Sequence, residues 1–362
     1  MNFVLFMRAR YPPLVRTGPQ RLRAVAATVL AVVALAFLAC QPKTVQEAEA
    51  KHDIAWLADN GSPDSIAALG RLADSDNRAL SALEARNATD VNTYIAAWAA
   101  VTRNAAWGST FLRSGLSDPT RAEMAASALP RRDARLIPFV NDFEAAVVRL
   151  AAGRRSAVIA GVLASVGPQA HAAVERRLID AKTRGAMCDG IALPEASGDA
   201  RSLVLAVPAE ARNHDSCVAL VIDMANSEDP VLGWLAQNAE PGLLTATAKS
   251  SLACPRLATV WQKALATRPP ESHPALSVPL QMSIARCSSA LDPIIAELLA
   301  KAPRARACII RAIDPYGGEL VDMKQTCAAL KSGYANGETP LVRERANDAL
   351  ARGCKLAAPP RK

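Results

Sequence analysis

The chain has 362 residues, 51% hydrophobic and only 4% aromatic, with a formal charge of +8. Its apolar share is mostly Ala, Leu and Val; Ala and Leu are strong helix formers, and no run alternates apolar with polar residues as a half-buried strand does, so the composition predicts an all-α fold with a sizeable core. Arg8, Arg10, Arg16, Arg21 and Arg23 supply five of the excess charges, and the remaining +3 excludes the dense basic clustering of a nucleic-acid binder.

Residues 24–39 read AVAATVLAVVALAFLA, sixteen residues without a charge, downstream of those five arginines. The run is short for a spanning helix, which needs about 20 apolar residues, and suits the apolar region of a signal peptide behind a basic start. The string Phe37-Leu38-Ala39-Cys40 resembles the lipobox of bacterial lipoproteins, in which a small residue precedes the modified cysteine. Ala39 fits that pattern, whereas Phe37 departs from the usual Leu and Leu38 is bulkier than usual. The resemblance implies cleavage before Cys40, lipid attachment to it, and anchorage in the cell envelope. Gln41 in place of Asp points by the same analogy to the outer membrane. The alternatives are an uncleaved anchor or an ordinary signal peptide with an incidental cysteine. Residues 1–39 are thus expected as a signal peptide and 40–50 as a polar, structure-poor tether.

Short amphipathic segments follow, separated by Pro, Gly, Asp and Asn. Ser62-Pro63-Asp64 opens one with Ile66, Leu69 and Leu72 on one face, and Asp76-Asn77-Arg78 opens the next with Leu80 and Leu83. Tyr94 to Val101 is a third. Asp118-Pro119, Asp229-Pro230 and Asp292-Pro293 open others: Asp accepts from free N–H groups at a helix start, and Pro at the first helical position has no N–H to lose. Apolar residues recur at the helical period, and helix pairs spaced roughly 30–45 residues apart suggest a repeat array. The string Arg343-Glu-Arg-Ala346-Asn-Asp-Ala349-Leu350 resembles the second helix of HEAT repeats; Arg121 to Leu129 and Arg78 to Leu83 are looser versions. First-helix candidates are Ile66-Ala-Ala-Leu69, Leu136-Ile-Pro-Phe139 and Pro293 to Leu298. The resemblance implies a right-handed α-α superhelix, a HEAT/armadillo-like solenoid. Its expected parts are Cys-free repeats over 51–180, degenerate Cys-containing repeats over 181–354 with a boundary near Leu193 to Asp199, and a disordered tail over 355–362.

Seven cysteines follow Cys40: Cys188, Cys217, Cys254, Cys287, Cys308, Cys327 and Cys354. There is no C-x-x-C, which argues against a zinc ribbon or a thioredoxin-like motif. In an exported chain disulfides are permitted, and helix-pair spacing suggests Cys254 with Cys287 or Cys308 with Cys327. The alternative is a set of buried thiols acting as small hydrophobes. Connectivity stays open at this level, and an odd count leaves at least one thiol out.

No catalytic motif, metal-ligand spacing or cofactor-binding loop is present in the sequence. The four histidines are His52, His171, His214 and His273. His214-Asp215-Ser216-Cys217 holds a base, an acid and two nucleophiles, but adjacent residues do not converge as a triad does; a helix start capped by Asp215 or Ser216 is the simpler expectation. Residues 131–184 hold ten basic and five acidic side chains. If Arg131, Arg132, Arg135, Arg154, Arg155, Arg176 and Arg177 share a face, they would attract an anionic partner. The expected function is a non-catalytic envelope scaffold binding an envelope protein, with no cofactor and no nucleic acid. The alternative is a module that binds an anionic envelope polymer or lipid through 131–184.

Overall fold

A computed structural model describes residues 44–354, apart from 88, 151–153, 195, 197, 314–322 and 333–338. The expected signal peptide, Cys40 and the tail 355–362 lie outside the described residues. Within them every regular element is helical and there is no strand. The chain divides into two compact units, the first ending at Gly108 and the second beginning at Ser109.

The first unit holds α1 (Val45–Ala50), α2 (Ile54–Asn60), α3 (Pro63–Leu72), α4 (Asn77–Arg86), α5 (Val91–Thr102) and the start of α6 (Ala106–Ser117). Its helix starts follow the capping rule. Ser62 accepts from the N–H of Ser65, with Pro63 behind it, and Asp76 and Asp90 accept from Arg78 and Asn92. α3 lies at the centre, packed on α1, α2, α4 and α5, and Leu57, Ile66, Leu69, Leu83 and Tyr94 are fully buried. One expectation fails here. Residues 45–50 are not tether: Thr44 caps α1, and Ala48 is buried against its neighbours.

The second unit runs through α7 (Ala122–Ser127), a 3-10 turn (Ala134–Phe139), α8 (Val140–Arg149), α9 (Arg154–Ser165), α10 (His171–Ile179), α11 (Arg184–Ile191), α12 (Gly198–Ala206) and α13 (Ala209–Arg212). It continues with α14 (Asp215–Ser227), α15 (Asp229–Asn238), α16 (Pro241–Lys249), α17 (Cys254–Thr267), α18 (His273–Lys301), α19 (Pro303–Ile313), α20 (Lys324–Lys331) and α21 (Pro340–Asp348), ending in a π turn (Ala349–Gly353). Most helices pack on the helix after next: α7 on α9, α9 on α11, α14 on α16, α16 on α18, and in a second row α10 on α12 and α15 on α17. The expected boundary near 193–199 is not a break, because α11 packs on α9 and α10 before it and on α14 after it. The Leu136 to Phe139 segment is the 3-10 turn leading into α8 instead of a repeat's first helix, since Pro138 removes a donor there.

The helices are tied by arginines. Arg86 donates to the carbonyl of Ala58, Arg103 to Gly70, Arg149 to Leu116, Arg256 to Ala225, Arg268 to Leu235 and Arg286 to Leu252. These acceptors lie in or just beyond the last turn of an earlier helix, where carbonyls lack an intrahelical partner. The cation also meets the negative end of the helix dipole. Donor and acceptor are 28 to 34 residues apart, at the short end of the spacing expected for helix pairs.

Asp292 and Pro293 do not open a helix. They sit inside α18, which bends at Cys287 (φ −130°, ψ 35°). Asp292 is buried, and its carboxylate accepts from the N–H groups of Gln325 (2.9 Å) and Thr326 (2.7 Å) at the start of α20, while Thr326 Oγ1 donates back to the Asp292 carbonyl. The residue is a cap, but for a helix more than thirty positions later. Asp292→Ala leaves the buried N–H of Thr326 and the part-buried one of Gln325 without their acceptor and is expected to cost about 1–3 kcal/mol. Urea unfolding of the variant reads this; a loss within error of zero contradicts the assignment.

Candidate functional site

The His214 to Cys217 string has no chemistry to offer. His214 itself is the cap of α14, its Nδ1 accepting from the N–H of Ser216 at 3.3 Å, in place of Asp215 or Ser216. Cys217 is bonded to Cys188, so neither a thiolate nucleophile nor a metal-ligating thiolate exists at that position. Among the described residues no group of three or more His, Cys, Asp or Glu side chains could hold a metal ion.

The cysteines pair as Cys188–Cys217, Cys254–Cys287 and Cys327–Cys354. The suggested Cys308–Cys327 bridge is absent: Cys308 points into the core from the apolar face of α19, and Cys327 bonds to Cys354 beyond α21. Burial pushes the Cys308 thiol up to about 12, so at neutral pH it is protonated and a poor nucleophile.

The arginines of 131–184 are largely occupied. Arg135 pairs with Asp133 (2.7 Å) and Arg155 with Glu123 (3.5 Å). Arg176 pairs with Glu144 (2.7 Å), and Arg177 with Glu144 and Asp180 (both 3.2 Å). Arg131 reaches the carbonyl of Ala126 at 3.4 Å. Arg132 adopts a left-handed backbone (φ 59°) and donates to the carbonyl of Ala196 at 3.0 Å. The side chain of Arg154 lies outside the described residues. These contacts serve the protein's own helices, and the acids show it. Hydrogen bonding from Arg176 holds Glu144 below its usual range, as Arg103 does Asp74 and Arg71 does Glu49. A depressed carboxylate contributes stability above its ordinary pKa and loses it as pH falls through the lowered value, so acid weakens these clamps.

A different place has the form of a site. Between α17, the start and end of α18, and the start of α19 lies an open groove of about 830 Å3. Leu265, Ala266, Leu298 and Ala302 give it aliphatic walls, and Arg268, Glu271, His273, Lys301 and Arg304 give it polar ones. Lys301 is matched by Glu297 at 3.0 Å. Arg268 donates to the carbonyls of Ala236 and Leu235, and burial lowers its pKa while Glu240 partly offsets this. His273 is 3% exposed. Its Nδ1 lies 3.1 Å from the Arg304 carbonyl; a carbonyl only accepts, so Nδ1 carries a proton. Its Nε2 has no hydrogen-bond partner among the described residues.

Fold and site together define an all-helical, disulfide-tied chain with an open groove. No protein-family model matches it, and neither a curated protein nor a solved structure gives a match.

Proposed function

We propose that this chain is an exported, lipid-anchored scaffold of the cell envelope that binds another protein through a helical array and carries out no reaction itself. The observation that carries the reading is the set of three cysteine pairs at bonding distance, each joining separate helical segments. Structural disulfides persist in oxidising compartments and are rare in the cytosol. Export also agrees with the basic, then apolar, then Cys40 order of the N-terminal sequence.

The finer fold in this proposal is a right-handed HEAT/armadillo-like superhelix. It is supported by helices packing on the helix after next and by arginine clamps at near-repeat spacing. In such an array each pair buries its apolar face only against its neighbours. Arrays of that kind offer extended surfaces, which suit a protein partner better than a small substrate. Binding of an anionic polymer through 131–184 is the weaker reading, because those arginines are already paired within the chain.

Cross-linking in native membranes followed by capture of this chain tests the proposal, with lipid labelling of wild type and Cys40→Ala alongside. The expected result is a lipid label lost in the variant and a stoichiometric protein partner. Capture from the cytosol alone, or label retained in Cys40→Ala, overturns the localisation. Turnover of a substrate by the purified chain overturns the non-catalytic part.

A further inference from the structure

Each of the three bridges has one cysteine in the opening turn of a helix: Cys217 in α14, Cys254 in α17 and Cys327 in α20. The positive end of a helix stabilises a thiolate, and so favours a bridge's release there. The three starts differ in what already occupies them. At α14, His214 caps the helix, and both Cys217 and its partner Cys188 are buried. At α20, the Asp292 carboxylate takes the N–H groups of Gln325 and Thr326, so a negative charge already sits beside the buried Cys327. Its partner Cys354 is half-buried, but it follows the π turn at the negative end of a helical segment. At α17 no side chain caps the start, and no acid lies in the first turn. Cys254 is the first residue of that helix and is half-buried. Arg256 follows it, paired with the exposed Asp229 at 2.9 Å. Of the six bonded sulfurs, Cys254 alone combines access with an uncapped positive helix end.

Its partner Cys287 is buried at the bend of α18, five residues before Asp292. The bridge therefore ties the start of α17 to the one non-helical residue of α18, and the segment after that residue carries the cap of α20. Other contacts hold α17 and α18 together without it. Trp261 Nε1 donates to Ser283 Oγ at 2.7 Å, and Arg286 donates to the carbonyls of Ser250 and Leu252 just ahead of α17. Opening this bridge thus acts on the bend and on the cap beyond it, while the two helices stay packed.

We propose that Cys254–Cys287 is a redox-sensitive bridge, exchanged with a dithiol reductant, while the other two are structural. A thiolate of the reductant attacks Cys254 Sγ, the S–S bond breaks, and the Cys287 sulfur leaves and takes up a proton. The reductant's second thiol then attacks the mixed disulfide, releases Cys254 as a thiolate and gives its own proton to solvent. Two electrons pass from the dithiol, which becomes a disulfide, to the bridge. The oxidised form pins the α18 bend and holds Asp292 at the start of α20. The reduced form frees the bend and loosens that cap.

The test equilibrates the full oxidised chain in mixtures of reduced and oxidised dithiothreitol, traps free thiols by alkylation and maps them by mass spectrometry. Cys254–Cys287 is expected to open at a ratio of reduced to oxidised reagent about tenfold lower than either other bridge. Ala253→Asp places a carboxylate at the uncapped start of α17. It is expected to raise that ratio about threefold for this bridge alone, by opposing the Cys254 thiolate. Ala253 is exposed and Asp is a favoured cap, so the fold is kept. Hydrogen exchange of the singly reduced form is expected to rise over residues 284–293 and at the N–H groups of Gln325 and Thr326, with α9 to α11 unchanged. The double variant Cys254→Ser with Cys287→Ser is expected to show the same pattern without any reductant. Opening of Cys254–Cys287 together with or after the other two overturns the proposal. So does a ratio unmoved by Ala253→Asp. Exchange unchanged at the bend and at Thr326 in both the singly reduced form and the double variant overturns the switch.

Discussion

Reducing the three disulfides is expected to raise hydrogen exchange in α11, α14, α17, α18 and α20 while leaving exchange in α1 to α5 unchanged. Among the described residues the first unit has no bonded cysteine, whereas the second carries all three bridges, with separations of 29, 33 and 27 residues. Closing loops of that length removes unfolded-state entropy worth about 3–4 kcal/mol per bridge in the chain-entropy model. That is a large fraction of the ordinary stability of a domain, about 5–15 kcal/mol. The paired variants Cys188→Ser with Cys217→Ser, and likewise for the other two bridges, separate the contributions in urea unfolding. Cys308 provides an internal control. Its buried, protonated thiol resists alkylation in the native state and reacts once the second unit opens. Equal exchange increases in both units, or no increase anywhere, contradict this account.

Gly190→Val is expected to disrupt the second unit about as strongly as loss of a bridge. α9 and α11 cross at Gly161 and Gly190, and a Cβ placed at 190 lies 2.5 Å from the Gly161 nitrogen and 2.7 Å from the Ala157 carbonyl oxygen. The obstacles are backbone, which cannot swing aside as a side chain can, so the helices must separate. Overpacking of this kind costs about 1–3 kcal/mol, and the rigid obstacle places Gly190→Val at or above the upper end. Gly233→Ala in α15 is the matched control, because nothing lies within 4 Å of its added methyl. There the gain in helix propensity dominates, and stabilisation of about 0.5–1 kcal/mol is expected. Thermal melts of the two variants that move in the same direction contradict the assignment of close helix contact at 190.

The sequence makes some of this fold legible and hides the rest for physical reasons. Helix starts at Ser62 and Asp76 were readable because a cap acts within three residues of itself. Asp292 has the same local signature, but a bend at Cys287 carries its segment on as part of α18, and its carboxylate is used by α20. The pairing of Cys254 with Cys287 matched helix-pair spacing, while Cys308 had a suitable spacing and the wrong face. The arginine clamps are invisible in the sequence, since they depend on the register of segments that are not neighbours in the chain. The arginine excess of 131–184 has the look of a patch in the sequence, yet charge counts do not show which acids lie across the next helix. The basic excess of 249–313 is visible in the sequence, but only the fold turns part of it into a groove beside His273.

The proposed function places this helical chain outside the cytoplasm, tied by its own disulfides. Trapping free thiols in intact cells with an alkylating reagent, then mapping all seven late cysteines by mass spectrometry, tests it most directly. The expected map joins Cys188 to Cys217, Cys254 to Cys287 and Cys327 to Cys354, with Cys308 alone free among the seven. Six or seven of these cysteines recovered as alkylated thiols would contradict it.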